Sequence, residues 1–205
     1  PPSEIYIYPV FLETLTECEV RSGIGEMLHY YFTEGIDLAQ EVSDKFEILL
    51  KDRKVLPYFI SNSLRIKKVI IELDEFDTSI RHIFNFGHTF GHAIEAITNY
   101  SIPHGQAISI GMDLANFIAL TRGLLSNADF DLMHSILIKN IPPFQFTPEN
   151  IDNYFEALSR DKKNKGNQLG CILLSGPGKA SKVFIELDNH LKSLIINYSK
   201  QYIKQ

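Results

Sequence analysis

The sequence contains no tryptophan and only two cysteines among 205 residues. Cys18 and Cys171 lie far apart and make no CxxC pair. Neither a disulfide framework nor a cysteine-rich metal cluster is expected, and reduced thiols in a cytoplasmic protein are the simplest reading. No apolar run approaches the roughly 18 residues that a membrane-spanning helix requires. The opening Pro1-Pro2-Ser3-Glu4 has neither the basic nor the apolar region of a secretory signal. Acidic residues outnumber basic ones, 25 to 20, for a net charge of -5. Bulk charge therefore cannot hold nucleic acid or a membrane surface, although a few local Lys and Arg side chains can still bind an anionic small molecule. A glycine-rich phosphate turn is also missing: the 12 glycines form no GxGxxG and no triple glycine, so the usual cradle for a dinucleotide is not encoded here.

What is present suits one large domain. Apolar residues make up 44% of the chain, enough for a substantial core. Residues 5–11 alternate in polarity and are rich in β-branched and aromatic types, which predicts a short strand or extended lead-in. Helices are predicted over 14–28, broken by Gly23 and Gly25, and over 36–51, 55–73, 88–98, 105–122, 127–139, 149–159 and 189–203. Pro142-Pro143 separates two of them. Residues 169–175 and 183–187 read as two strands about the Ser-Gly-Pro-Gly turn at 175–178. The fold class is mainly α, with a minor β hairpin near the C-terminus.

Four of the seven histidines fall in residues 81–104: His82, His88, His92 and His104. On a helix, His88 and His92 are at i and i+4, so both imidazoles project from one face. That spacing is common in zinc and iron sites, but it is also common in surface pairs without metal. The three glycines interleaved with these histidines, at 87, 91 and 105, would let backbone or ligand approach closely. Glu26 lies in an apolar, glycine-flanked stretch. Buried there, its carboxylate needs a partner, and a metal is one candidate.

The segments RHIFNFGHTFGHAIE (81–95) and HGQAISIGM (104–112) resemble the RxLLNFGHTFGHAIE and HGExVxIGM of the 3-dehydroquinate synthase family and the wider sugar-phosphate cyclases. Upstream, FLETLTECEVRSGIGE (11–26) is similar to the family's FLxTLPxREFxSGxAE. Lys67, Asp74 and Glu75 fit its K-x6-DE spacing, and Asp161-Lys162-Lys163-Asn164 its DKKN. The resemblance runs from Tyr8 to Val183 and implies the C-terminal helical domain of that fold over residues 1–205, with 1–15 as a linker that touches NAD.

The resemblance also implies roles. Glu26, His88 and His104 match the ligands of Zn2+ (or Co2+), leaving His92 as a catalytic group facing substrate rather than a ligand. Asp77 and Lys67 match further catalytic positions. Arg81, Asn85, His29 and Lys162 (or Lys163) match substrate contacts, and Phe11, Leu12, Glu13 and Thr14 a segment that touches NAD+. The implied reaction oxidises a sugar-phosphate hydroxyl transiently with NAD+, expels phosphate, returns the hydride and closes a carbocycle. It belongs to the shikimate route to aromatic amino acids or to a related cyclitol pathway. The expected partners are a small sugar phosphate, an N-terminal NAD-binding domain absent from this chain, and a second copy in a homodimer.

One departure concerns chemistry: the family's E-x-x-K has His29 in place of lysine. An imidazole is shorter and mostly neutral at neutral pH, so substrate anchoring is expected to differ. The other is the absent glycine-rich half, from which the chain alone is expected to bind zinc without turning over. Two other readings compete. A metal- and NAD-dependent polyol dehydrogenase of the iron-alcohol dehydrogenase type would release NADH. A degenerate, regulatory module would not have kept Glu26, His88 and His104 together.

Overall fold

The computed structural model describes residues 3–203; Pro1 and Pro2 of the lead-in, and residues 204–205, lie outside the described residues. The lead-in is extended but has no ladder partner, and it passes into a 3-10 helix at Pro9–Thr14. Of the strand and the extended lead-in expected over 5–11, the strand is not formed: Pro9 donates no hydrogen bond and fixes φ, which ends any ladder at that point.

Helix α1 (Glu17–Glu34) opens on a capping box. The Thr16 hydroxyl accepts from the Glu19 N–H, and the Glu19 carboxylate accepts from the Thr16 N–H at 2.7 Å. It runs unbroken through Gly23 and Gly25, past the predicted end at residue 28. The single helix predicted over 36–51 is two, α2 (Asp37–Asp44) and α3 (Phe46–Lys51), bent at Lys45. The bend lets Ala39 and Val42 of one piece and Phe46 and Leu49 of the other reach the same core. Helix α4 (Leu56–Leu73) follows, with Pro57 in its first turn. A second 3-10 helix, Ile80–Asn85, was not predicted.

Next come α5 (His88–Ile97), α6 (His104–Thr121), α7 (Asn127–Leu137) and α8 (Ile151–Ser159), each within two residues of its predicted bounds. Strands β1 (Gln168–Leu174) and β2 (Ala180–Glu186) pair antiparallel, with Gln168 opposite Glu186 and Leu174 opposite Ala180. Helix α9 (Asn189–Tyr202) closes the chain and is capped by Asp188.

The layers organise around α6, in which every residue from Gly105 to Ala119 is buried. Such a helix must be covered on all sides, and α1, α5, α7, β1 and α9 cover it. Two of these contacts are backbone against backbone. A Cβ on Gly25 of α1 would lie 1.8 Å from the Gly105 carbonyl oxygen, and one on Gly105 would lie 1.7 Å from that of Ser22. At the other crossing a Cβ on Gly111 would sit 2.1 Å from the carbonyl oxygen of Gly87. Polar contacts stitch the first crossing. The Gly105 N–H donates to Ser22 Oγ at 2.9 Å, and Asn140 Nδ2 donates to both the Arg21 carbonyl and Ser109 Oγ.

The crossing predicts opposite outcomes for two nearby glycines. Gly25→Ala should cost about 3 kcal/mol or more in urea unfolding, because backbone rather than a flexible side chain must move. Gly23→Ala has open space at its Cβ and should be neutral or stabilising by up to about 1 kcal/mol, from helix propensity alone.

Candidate metal centre

The α1–α6 crossing fixes the site, because Glu26 follows Gly25 and His104 precedes Gly105. Glu26 Oε1 lies 2.7 Å from His104 Nε2 and 3.5 Å from His88 Nε2. His88 is the first residue of α5, set there by Gly87, whose φ of 79° is the left-handed conformation that glycine adopts without strain. Both imidazoles are fixed through their other nitrogen. His88 Nδ1 is 3.2 Å from the Phe86 carbonyl oxygen, and His104 Nδ1 is 3.1 Å from Glu95 Oε2. An imidazole that donates from Nδ1 presents a lone pair at Nε2, the arrangement metal-ligating histidines use. Glu26 Oε1 is buried, and the atoms that face it are these two Nε2 positions, with His104 at ion-pair distance. A buried carboxylate oxygen faced by two oriented imidazoles fits a divalent cation, which would replace the proton that Glu26 and His104 share.

Two sets of donor atoms lie within 4.8 Å of one another, His88–His92–His104 and Glu26–His29–His88, and the Glu26–His104 contact joins them. His92 is exposed and faces a groove, whereas His29 is buried behind Glu26, its Nδ1 3.6 Å from Glu26 Oε2.

The charges are strongly coupled. Burial alone would raise the Glu26 carboxyl, but the facing imidazoles of His104 and His88 and the charge on His29 and His88 outweigh it, holding it well below the usual carboxylate range. Contact with Glu26, helped by Glu95, outweighs burial and raises His104 to about 9. Burial, with the charge of His88, pushes His29 down to about 3. Burial likewise lowers His92, again with His88.

Beside the histidines lies an open groove of about 500 Å³ lined by Asn85, Thr89, His92, Arg160, Asp161, Lys162 and Lys163, together with three alanines. A smaller cavity of about 130 Å³ shares Asn85, Thr89 and Lys163 and adds Asp77, His82 and Lys182. A groove with three basic side chains and one acidic, next to a half-buried donor set, is suited to an anionic, polyhydroxylated ligand.

The family described as 3-dehydroquinate synthase C-terminal matches residues 23–164, a span that holds Glu26, His88 and His104. The chain belongs to the 3-dehydroquinate synthase family. It is 33% identical over 206 aligned residues to the 3-dehydroquinate synthase of Sulfurovum sp., covering 98% of this chain and 56% of that protein. Against the 3-dehydroquinate synthase of Thermoanaerobacter pseudethanolicus, identity is 34% over 94% of this chain and 55% of the relative. The chain thus spans about half the length of the curated relatives it matches. Among solved structures, 2-deoxy-scyllo-inosose synthase complexed with carbaglucose-6-phosphate, NAD+ and Co2+ superposes with a TM-score of 0.80 at 25% identity, covering 96% of this chain and 56% of that one. A 2-epi-5-epi-valiolone synthase from Streptomyces hygroscopicus subsp. jinggangensis, with NAD+ and Zn2+ bound, has a TM-score of 0.77 at 21% identity, covering 94% and 54%, and shows the same fold.

The structure brings some of the expected dehydroquinate synthase site residues together and not others. Glu26, His88 and His104 converge, with His29 packed behind them. Asn85, His92 and Lys162 line the groove, and Asp77, at a φ of 56°, lines the smaller cavity and lies 3.2 Å from His82 Nδ1. Lys67 reaches over the Tyr30 ring from α4. Arg81 is turned back, its Nη1 donating to the Glu75 carbonyl at 2.8 Å. Phe11 to Thr14 lie apart in the first 3-10 helix, where Phe11 and Leu12 line a separate apolar groove of about 320 Å³ with Pro57, Ile60 and Leu64.

Two residues gained a role only from the structure. Glu95, buried, orients His104; its signal was its place in the GHAIE text. Asp74 is buried and accepts the N–H groups of Thr78, Ser79 and Arg81, which shapes the loop carrying Asp77. Those donors, Thr78 first, hold its carboxyl well below the usual range.

Glu95→Gln should weaken zinc binding roughly 10–100-fold while leaving metal-free thermal stability nearly unchanged, as loss of an orienting partner does. In the parent chain, His104 raised to about 9 must lose its proton to ligate. Calorimetric titration in different buffers should therefore show proton release on zinc binding below that pH, with affinity falling as pH falls.

Proposed function

We propose that this chain forms the metal-holding half of the active site of a sugar-phosphate cyclase. The proposed enzyme is a phosphate-eliminating carbon–oxygen lyase that acts on 3-deoxy-D-arabino-heptulosonate 7-phosphate or a related heptulose phosphate. The observation that carries the proposal is the buried Glu26 Oε1, faced by His88 Nε2 and His104 Nε2 beside a groove lined by Lys162, Lys163 and Arg160.

When bound by Glu26, His88 and His104, a divalent metal supplies Lewis acidity to the polyol's hydroxyls, and NAD+ supplies a hydride acceptor that is restored at the end of the cycle. The rest is the work of this chain's own groups. Lys163 lines both cavities and is half-buried, which favours it over the exposed Lys162 as the fixed anion contact; Lys162 and Arg160 extend the positive wall. Asn85, with its Nδ2 tied to the His82 carbonyl, offers its free carbonyl to a hydroxyl. His92, lowered by burial and His88, is neutral at physiological pH and exposed to the groove, so it can take a proton from substrate and return it. Asp77, 3.2 Å from His82 Nδ1, lines the cavity that continues this groove and is placed to pass protons there.

Most of the NAD+ contacts are assigned to a second domain, corresponding to the part of the relatives that this chain does not span. The exposed Phe11 and the apolar groove beside it support the reading of Phe11–Thr14 as a segment shared with that domain.

The test is reconstitution. The 205-residue chain alone should bind zinc but release no phosphate from the heptulose phosphate. Adding the NAD-binding half of a relative in trans should restore phosphate release without net NADH. Robust turnover by the isolated chain would refute the division of labour, and net NADH accumulation would indicate a polyol dehydrogenase instead.

A further inference from the structure

We propose that His29 is a fourth protein ligand of the metal centre, so that three imidazoles and one carboxylate surround the ion where the family pattern supplies a lysine. The inference rests on the metal-centre reading above and concerns this chain's own departure from its family.

Three observations carry it. First, His29 is only 1% exposed, and its buried Nδ1 makes no well-aligned hydrogen bond among the described residues, its polar neighbours being the backbone and the carboxylate of Glu26. A buried imidazole nitrogen left unpaired is unfavourable unless something else occupies its lone pair. Second, that nitrogen is aimed at the site: it lies 3.6 Å from Glu26 Oε2, and the donor atoms of Glu26, His29 and His88 are all within 4.8 Å of one another. With bonds of about 2.0–2.1 Å, donor atoms about one zinc lie roughly 3–3.5 Å apart, and expansion beyond four ligands keeps a position for the polyol. The separations of His29 Nδ1 from Glu26 Oε2 and of His88 Nε2 from Glu26 Oε1, 3.6 and 3.5 Å, one to each carboxylate oxygen, are close to that spacing. Third, the ring is held in place. Tyr30 packs at 3.8 Å between centroids, and Phe84 and His88 meet it edge-on at 6.1 and 4.9 Å. Substrate in the groove meets His92 and the lysines, and His29 is not among the residues lining it.

A lysine at this position would bring a positive charge, which repels a cation, and would be free to reach an anion. A neutral imidazole adds a lone pair instead. The departure therefore changes the metal's surroundings and leaves anion anchoring to Lys162 and Lys163.

The test is cobalt titration of the whole chain, read by visible absorption and by competition with a chelator, for the parent, His29→Phe, His29→Lys and Glu26→Gln. Phenylalanine keeps the packing on Tyr30 and Phe84 without a ligand atom. Both His29 variants should bind cobalt more than about 100-fold more weakly and shift the d–d bands, while metal-free melting of His29→Phe stays near the parent's. A smaller loss, within the roughly 10–100-fold of an orienting partner, with unchanged bands would make His29 a positioning residue and overturn the proposal. So would parent-like binding by both His29 variants, with loss only in Glu26→Gln, which leaves the metal-centre reading standing. A parent chain that binds no cobalt overturns both. Should the variants fail to fold, histidine-labelled parent loaded with cadmium decides by NMR: coupling to three imidazole nitrogens, one an Nδ1, is expected, and coupling to two refutes it.

Discussion

Helices α1 and α6 cross with backbone against backbone, at Gly25 and Gly105, closer than any residue with a Cβ permits. The neighbours of those glycines are Glu26 and His104, so the contact that buries the central helix also brings a carboxylate and an imidazole to 2.7 Å. A second tight crossing, Gly87 against Gly111, places His88 at the start of α5 beside them. Packing and chemistry therefore cannot be separated here: a shift of α6 that relieved either crossing would also pull the donor set apart.

What the crossings assemble is electrostatically unfavourable unless something neutralises it. A buried carboxylate oxygen facing two imidazole nitrogens concentrates lone pairs in a small volume unless a proton or a cation is shared among them, and in the metal-free chain a proton is shared by Glu26 and His104. Glu95 and the Phe86 carbonyl increase this by holding protons on the far side of His104 and His88. A cation resolves the conflict. The basic groove outside the donor set keeps positive charge where an anionic ligand would lie, with His92 at the border.

Much of the fold was legible in the sequence because its periodicity is strong. The run 105–122 carries apolar and small residues at helical spacing, with Gln106, Ser109, Asp113 and Asn116 buried among them, and the hairpin about residues 175–178 announced itself by its Gly-Pro-Gly turn. The failures have physical causes. Local rules treat Gly23 and Gly25 as helix breakers, whereas the cost of Gly25 within a helix is outweighed by a close approach visible only in three dimensions. The bend at Lys45 and the 3-10 helix at Ile80–Asn85 leave no periodic signature. In the site, helical spacing pairs His88 with His92, but spacing says nothing of Glu26, which joins from a distant helix. That residue stood out as a carboxylate in an apolar, glycine-flanked stretch, but only the family resemblance joined it to the histidines, and the burial of His29 and the service of Glu95 to His104 required the structure.

If Glu26 and His104 hold one metal ion across the α1–α6 crossing, losing either must empty the site. Elemental analysis of the purified chain, after zinc is offered and the excess removed, tests it most directly when run beside Glu26→Ala and His104→Ala. The account predicts about one zinc per chain in the parent and its loss in both variants, although the two residues lie on different helices. Zinc retained at parental stoichiometry in either variant would contradict it.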